Sequence, residues 1–356
     1  MLISNTIQDG DFAFEANPPP PVPYVKGHRF TVRSQNPPAP APITESCSLT
    51  KEADIERRTV PPLQRCILHP PVGGSDGDSM VTFEVSHEIR AGEDHSAQIV
   101  AVNILNTSPD CPKTLQGVTT AVAKLYDPLY FDHSDDDTDP FLCVKCHYSR
   151  EAASYARLSD LQGTVIPAYY GSYSLELPVD EPSSKTRTVR LIMIEYISGF
   201  SMRELRPRDF SQLQRKQIIK QIIDGESAIY TRDVRLSDLH PRNVMVEQDP
   251  NSKENRIKRV ILLDFGTNIL SRHWLGIPEE EQKLLPGTYI SPLLRWHKVW
   301  RMVNSFSDWV DWDYQPWLRA EYAHTASSVT PYMKSQWLSD FIFERRNMKR
   351  DDEGLY

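Results

Sequence analysis

The chain contains two short stretches that read Asp238-Leu239-His240-Pro241-Arg242-Asn243 and Leu263-Asp264-Phe265-Gly266. They place a carboxylate at position 238, an amide at 243 and a second carboxylate at 264. Oxygen atoms of this kind are the ligands that a hard cation such as Mg²⁺ prefers, and phosphoryl transfer also needs a group that orients the acceptor hydroxyl. The spacing therefore predicts a magnesium and phosphate site, with Asp238 as the base and with Asn243 and Asp264 as metal ligands.

Each stretch adjoins a short β-rich run, at residues 244–246 and 260–263, and a polar turn separates the two runs. This pattern is typical of a pair of strands joined by a loop. We expect the resulting ribbon to bring Asn243 and Asp264 together.

Residues 121–124, Ala-Val-Ala-Lys, lie in a strand-like run, and Glu151 lies near the start of an alanine-rich stretch, 150–161, that favours a helix. A single lysine on a strand usually belongs to a solvated face, and Asp-Phe-Gly alone is a common turn after a strand. The combination is more specific, because lysine, helix glutamate, the 238–243 loop and Asp-Phe-Gly occur once each and in one order.

In this order the motifs resemble those of the protein-kinase-like superfamily over about residues 80–346. The resemblance implies that Lys124 grips the α and β phosphates of ATP and that an ion pair with Glu151 holds the lysine in place. It also implies an α+β, two-lobed protein-kinase-like fold. We expect a small antiparallel β-sheet lobe at residues 79–197 and a mostly helical lobe at 198–346, before a C-terminal tail at 347–356.

Two further segments can be placed by the same resemblance. Residues 193–199 resemble the hinge between the lobes, and the backbone groups expected to bind adenine are those of Glu195, Tyr196 and Ile197. The family's glycine-rich loop would fall at the tip of a hairpin near residues 91–96, where only Gly92 is present. Because glycine lets the backbone approach phosphates closely, we expect this hairpin tip to bind the phosphates weakly.

The 238–243 loop departs from typical protein kinases. Leu236 and Ser237 precede Asp238 where those enzymes have His-Arg, and His240 stands where they have a lysine. The loop looks closer to aminoglycoside-phosphotransferase-like and fungal kinase-like proteins. The missing arginine argues against control by phosphorylation of an activation loop.

Thirteen of the 28 prolines lie before Val72. Because proline lacks a backbone donor and favours extended conformations, we expect residues 1–78 to form a mostly disordered Pro-rich tail. Residues 20–23 and 37–40 fit PxxP, a pattern that an SH3/WW-type partner could bind. The alternative is a solvated tail without a partner, since PxxP is frequent in Pro-rich sequence.

The net charge is −8 with 25% charged residues, which does not favour nucleic acid as a partner. No apolar run approaches the ~18 residues that a membrane span needs, and residues 1–10 lack the features of a signal peptide. We therefore expect no membrane association and a cytoplasmic location, with the nucleus as the alternative. Five irregularly spaced cysteines favour reduced thiols over a disulfide framework.

Two other patterns suggest metal or cofactor chemistry. Residues 143–147 satisfy CxxCH, the spacing of c-type haem attachment, but the motif immediately precedes the predicted helix and no export signal is evident. Zinc would need a second ligand pair, for which Cys111 and His133 are the nearest loose candidates. The acidic stretch 132–139 lacks the glycine and the glutamate of a calcium loop and is expected to be a solvated insertion.

The leading hypothesis is an ATP- and Mg²⁺-dependent phosphotransferase that acts on an unknown acceptor, either a protein Ser/Thr or a small-molecule hydroxyl. The alternative is a pseudokinase that serves as a nucleotide-binding or scaffolding module. The single glycine of the hairpin tip favours the alternative, whereas the complete set of lysine, aspartate, asparagine and aspartate favours catalysis.

Overall fold

A computed structural model describes residues 17–42, 45–92, 95–179, 185–249, 251, 256–270, 287–297 and 305–338. These residues fall into two compact units. The first comprises the described residues up to Ala156, then Ala168–Tyr196 and Phe265–Thr267. The second comprises Arg157–Pro167, Ile197–Asp264 and the described residues from Asn268 onward.

The first unit contains six strands and three helices. The strands are β1 (Arg29–Asn36), β2 (Ser75–Arg90), β3 (Gln98–Thr107), β4 (Thr120–Tyr126), β5 (Tyr169–Pro178) and β6 (Thr186–Glu195). The helices are α1 (Lys51–Thr59), α2 (Pro62–Leu68) and α3 (Pro140–Arg157), of which the last residue is assigned to the second unit.

The six strands form one closed antiparallel barrel in the order β1-β2-β3-β4-β6-β5. The barrel closes because β1 pairs with β2 along most of its length and also with β5, through Arg33 opposite Ser174 and Ser34 opposite Tyr173. Alternate residues of each strand point to one side of a sheet. On β4, for example, Ala121, Ala123 and Leu125 belong to the barrel core.

Helix α3 begins with a capping arrangement that the sequence already contains. The Asp139 carboxylate accepts a hydrogen bond from the backbone N–H of Phe141 at 2.9 Å, and Pro140 occupies the first helical position. Both features favour a helix start. The helix therefore begins ten residues earlier than the predicted stretch 150–161, and it includes the CxxCH motif.

The second unit contains the remaining described elements. The strands are β7 (Phe200–Ser201), β8 (Val234–Arg235), β9 (Val244–Gln248), β10 (Ile257–Leu262) and β11 (Ile269–Leu270). The helices are α4 (Gln212–Thr231), α5 (Pro292–Arg295), α6 (Tyr314–Glu321) and α7 (Pro331–Trp337). Helix α4 starts with a capping box between Ser211 and Gln214 and buries Ile218, Ile219, Ile222 and Ile223.

The predicted α+β class with an antiparallel sheet is confirmed. The prediction of a mostly disordered segment at residues 1–78 is wrong for residues 29–36, 51–59 and 62–68, which form β1, α1 and α2, and for residues 75–78, where β2 begins. The prolines flank these elements, and only Pro62 lies inside one, near the start of α2 where it costs no hydrogen bond. Residues 1–16 and the predicted tail at 347–356 lie outside the described residues.

Among the described residues, none of the helices is both long enough and apolar enough to span a membrane.

A buried ion pair joins the segment before β1 to the barrel. The Asp127 carboxylate, fully buried at the end of β4, accepts hydrogen bonds from the Arg187 guanidinium of β6 at 2.6 and 2.9 Å. The Tyr24 hydroxyl donates to the same carboxylate at 2.5 Å. Burial raises the pKa of Tyr24 well above its ordinary value, and the Asp127 carboxylate raises it further.

We expect Asp127→Asn to destabilise the protein by about 3–5 kcal/mol, because it removes the only negative charge of this triad while the guanidinium stays buried. The measurement is the urea unfolding midpoint. Asp78→Asn, at an exposed carboxylate on β2, is the matched control and should change the free energy of unfolding by less than ~0.5 kcal/mol. Equal effects of the two substitutions would contradict this role of the ion pair.

Burial, followed by the nearby Arg65 guanidinium, lowers the pKa of His133 to about 4. The unfolded chain, with a histidine pKa near ~6.5, therefore binds a proton that the folded chain does not bind between these two pH values. The free energy of unfolding should fall as the pH decreases from about 6.5 to about 4, by up to ~3 kcal/mol. His133→Phe should flatten this dependence, whereas His324→Asn, at an exposed histidine, should leave it in place. Denaturant unfolding at a series of pH values is the measurement.

Candidate functional site

Lys124 lies on the face of β4 that points away from the barrel core. Its neighbours on that face are Val122 and Tyr126, because strand residues alternate between the two sides. The lysine side chain is only 7% exposed. A buried ammonium group requires a charge partner or strong hydrogen bonds.

Helix α3 provides that partner. Lys124 Nζ lies 2.6 Å from Glu151 Oε2, and the glutamate side chain is 1% exposed. The Tyr126 hydroxyl donates a hydrogen bond to the same Oε2 at 2.6 Å. The ion pair predicted between these two residues is therefore present, and a tyrosine that sequence reasoning did not single out supports it.

The Phe265-Gly266 pair packs beside the same helix in the first unit. The Phe265 ring is fully buried and meets the Tyr155 ring edge-on at 5.2 Å between centroids. A Cβ at Gly266 would lie 3.3 Å from Glu151 Oε2 and 3.2 Å from His147 Cβ. Glycine thus allows the backbone of the Asp-Phe-Gly motif to approach the Glu151 carboxylate closely.

In the second unit, the 238–243 loop is held by the Asn243 side chain. Asn243 Nδ2 donates to the Asp238 backbone carbonyl at 3.0 Å and to Asp238 Oδ2 at 2.9 Å. The Asn243 side chain is buried, and among the described residues no hydrogen bond engages its Oδ1. That oxygen is therefore a ligand atom of the type that a hard cation prefers.

Arg242 forms a contact that sequence reasoning missed. Its Nη2 lies 2.7 Å from both carboxylate oxygens of Asp238, and the two side chains are 43% and 35% exposed. A pair this exposed contributes little to stability, but it restricts the rotation of the carboxylate. The i, i+4 spacing of acid and base within the loop is the signal that could have indicated it.

Strands β9 and β10 form the predicted ribbon. Leu262 pairs with Val244, and the next backbone N–H, that of Leu263, donates to the Asn243 carbonyl at 2.8 Å. Asp264 follows directly and adopts a left-handed backbone conformation with φ 65°. Aspartate tolerates this conformation better than most residues. The ribbon therefore places Asn243 and Asp264 at the same end of one hairpin, as predicted.

His240 closes the loop by accepting a hydrogen bond from the Arg242 backbone N–H at its Nδ1. Burial, and then the Arg242 guanidinium, lower the pKa of His240 below its ordinary value. The imidazole is therefore neutral at pH 7 and supplies no positive charge at the position where protein kinases have a lysine.

Backbone groups of the predicted adenine-binding residues already have partners within the chain. In the first unit, the Glu195 N–H donates to the Ala168 carbonyl at 2.9 Å, and the Glu195 carboxylate accepts from the Ala168 N–H at 3.0 Å. In the second unit, the Ile197 carbonyl accepts from the Gly199 N–H at 2.9 Å. The Tyr196 ring meets the His87 ring edge-on at 6.0 Å.

The only glycine of the hairpin tip is held by a side chain. The Gly92 N–H donates to Gln98 Oε1 at 2.7 Å, and Gln98 Nε2 donates to the Gly92 carbonyl at 2.9 Å. Gln98 is fully buried. Its amide thus uses both backbone groups of the residue that would be the first candidate to contact a phosphate.

Residues 105–273, a little under half of the chain, match the family model of the ABC1 atypical kinase-like domain. The matched range includes Lys124, Glu151, Asp238, Asn243 and Asp264. No curated protein matches the chain. Residues 105–273 are therefore similar to ABC1 atypical kinase-like domains, and the predicted resemblance to an atypical kinase of the protein-kinase-like superfamily is confirmed.

Proposed function

We propose that this protein is an ATP- and Mg²⁺-dependent phosphotransferase that acts on a hydroxyl of a protein Ser/Thr or of a small molecule. The observation that carries the proposal is the buried Lys124–Glu151 ion pair, at 2.6 Å. Burying two charges is costly in free energy and a pair of apolar residues would often serve stability as well. A buried pair therefore suggests that the charges are retained for function, here to hold the phosphates of ATP.

The residues of the 238–264 segment fit a magnesium ion. Asn243 Oδ1 and the Asp264 carboxylate are oxygen donors at one end of the β9–β10 ribbon, and Mg²⁺ binds through few protein oxygens together with phosphates and water. When bound, the metal would neutralise the charge of the phosphates. The protein's own contribution is to orient the two oxygen donors, through the Leu263 hydrogen bond and the left-handed backbone of Asp264.

Asp238 is the proposed base. A carboxylate offers about four lone-pair directions, and Arg242 and Asn243 together use three of them. The remaining direction, on Oδ1, is the one proposed to receive the acceptor's proton. Because Arg242 and Asn243 hold the carboxylate from two sides, Asp238 would need little reorganisation before it accepts that proton.

We further propose that the first unit is the small lobe and the second unit the helical lobe of a kinase-like fold. The adenine would bind through backbone groups of Glu195, Tyr196 and Ile197 other than the Glu195 N–H and the Ile197 carbonyl, which have partners within the chain. A cytoplasmic or nuclear location and an SH3/WW-type partner for the PxxP segments are part of the same proposal.

A pseudokinase is the second candidate function, and one observation favours it. Gln98 occupies both the N–H and the carbonyl of Gly92, so the hairpin tip lacks the unengaged glycine backbone that would cradle phosphates. A protein of this kind would bind a nucleotide or a partner without transferring phosphate.

The enzyme proposal predicts that ATP with Mg²⁺ raises the melting temperature of the wild-type protein, by mass action, and that phosphate turnover is measurable. Lys124→Ala and Asp264→Ala should lower turnover by about 10²–10³-fold, since each removes a charge that stabilises the transferred phosphoryl group. Asp238→Asn should lower it by about 10²–10⁴-fold. Lys26→Ala, at an exposed lysine, is the control and should match wild type.

Absence of both thermal stabilisation and turnover in the wild-type protein would exclude the enzyme. Thermal stabilisation without turnover would support the pseudokinase. Turnover without labelling of generic protein substrates would favour a small-molecule acceptor.

The ion pair can be tested by comparing Glu151→Gln with Tyr126→Phe. Glu151→Gln keeps the shape but removes the charge that pairs with Lys124 Nζ, so turnover should fall at least ~10²-fold and the free energy of unfolding by about 3 kcal/mol. Tyr126→Phe removes one hydrogen bond to the same carboxylate and should cost about 1 kcal/mol with a much smaller loss of turnover. If Glu151→Gln kept wild-type turnover, Glu151 would have no part in phosphate binding.

A further inference from the structure

Three potential metal ligands lie on one face of helix α3. Cys143, Cys146 and His147 occupy positions i, i+3 and i+4, which are neighbours on a helix surface. Both cysteines are buried and His147 is half-buried. Because the helix begins at Pro140, the CxxCH motif is a helical surface here and not a loop.

A fourth ligand comes from the segment before α1. The Asp139 N–H donates to the Cys47 carbonyl at 2.7 Å, and the Leu49 N–H donates to the Asp137 carbonyl at 2.9 Å. On the other side of Cys47, Glu45 pairs with Lys145 Nζ at 2.7 Å. These contacts hold the backbone on both sides of Cys47 against the first turns of α3, so the position of its thiol is determined by the fold.

The ligand atoms converge. The sulfur atoms of Cys47 and Cys143 and one ring nitrogen of His147 all lie within 4.8 Å of one another. Cys146 lies one helical turn after Cys143 on the same face of α3. Around a tetrahedral zinc ion, with Zn–S at about 2.3 Å and Zn–N at about 2.0 Å, neighbouring ligand atoms lie roughly 3.5–4 Å apart. Shifts of at most about 1.3 Å would therefore bring the ligand atoms of Cys47, Cys143 and His147 to these separations.

The chemistry of the donors selects the metal. The cluster combines thiols with one imidazole and contains no carboxylate, a set that favours zinc over the oxygen-binding Mg²⁺ and Ca²⁺. All five cysteines are free thiols. Cys47 and His147 are half-buried, so the site is partly open to solvent on the side where a metal would enter.

We propose that Cys47, Cys143, Cys146 and His147 form a structural zinc site. The metal would join residues 45–49 to helix α3 one turn before Glu151, which follows His147 by four residues. A zinc site here would thus fix the helix that carries the partner of Lys124. This proposal does not depend on phosphotransferase activity, because a pseudokinase would need the same helix in place.

The two residues expected as loose zinc candidates do not take part. The Cys111 thiol donates to the Met80 carbonyl at 3.4 Å, and the His133 ring lies 6.5 Å from the Phe141 ring. Neither belongs to the group around Cys143. The ligand that joins the CxxCH motif is instead Cys47. It lies about a hundred residues earlier, in the segment that was predicted to be disordered.

The test is the metal content of the full chain, purified under reducing conditions after incubation with Zn²⁺ and gel filtration. Elemental analysis should give about one zinc per chain. Exchange with Co²⁺ should produce the thiolate charge-transfer band and the intense visible bands of a tetrahedral site. Cys47→Ser and Cys143→Ser should each lose most of the zinc, whereas Cys111→Ser, at a buried cysteine outside the cluster, should retain it.

A matched variant separates loss of a ligand from loss of the fold. Cys47→His supplies a nitrogen ligand at the same position, so it should retain zinc while the Co²⁺ charge-transfer band weakens. The proposal is overturned if wild type binds no zinc, if Cys47→Ser binds as much as wild type, or if neither Cys47→Ser nor Cys47→His binds zinc while both keep the wild-type circular dichroism. A disulfide from Cys47 to Cys143 or Cys146 in wild type that excludes zinc under reducing conditions would also overturn it.

Discussion

Closure of the barrel by β1 is the constraint on which the first unit depends. An antiparallel sheet with two free edges leaves rows of backbone donors and acceptors unpaired. Here β1 bonds to β2 on one side and, through Arg33 and Ser34, to β5 on the other, so the sheet closes into a barrel. Because β1 is fixed, Tyr24 reaches the Asp127–Arg187 pair and residues 45–49 lie against helix α3. The N-terminal segment therefore belongs to the folded unit and contributes directly to its polar clusters.

The alternation of β4 follows from the same barrel. Ala121, Ala123 and Leu125 fill the interior, so Lys124 must point outward, where α3 covers it. A buried ammonium in that position is stable only with a carboxylate beside it, and Glu151 meets this need together with the Tyr126 hydroxyl. The close approach of Gly266 to Glu151 then depends on the absence of a side chain at that residue. Packing of the core and placement of charge are thus two results of one strand pattern.

Local patterns predicted the parts of the candidate site that depend on neighbouring residues. The β9–β10 ribbon, the order of lysine and glutamate and the Asn243–Asp238 loop arise from short-range periodicity and turn chemistry. The features that were predicted wrongly or missed depend on contacts between residues and not on local sequence patterns. Proline content indicated disorder at residues 1–78, but strand pairing with β2 overrode that composition at β1. The clamp of Arg242 on Asp238 and the amide of Gln98 on Gly92 are side-chain contacts that depend on rotamer and backbone geometry.

The amino-acid sequence alone was sufficient to identify an α+β protein with kinase-like motifs. Those motifs are short, so their residues and spacing can be recognised without knowledge of the fold. It could not indicate that Cys47 meets Cys143 and His147, since about a hundred residues separate Cys47 from the other two. Nor could it indicate that both backbone groups of Gly92 are occupied. Contacts between residues distant in the chain arise only when strands pair and helices pack, and these contacts determine which side chains of a motif remain available for chemistry.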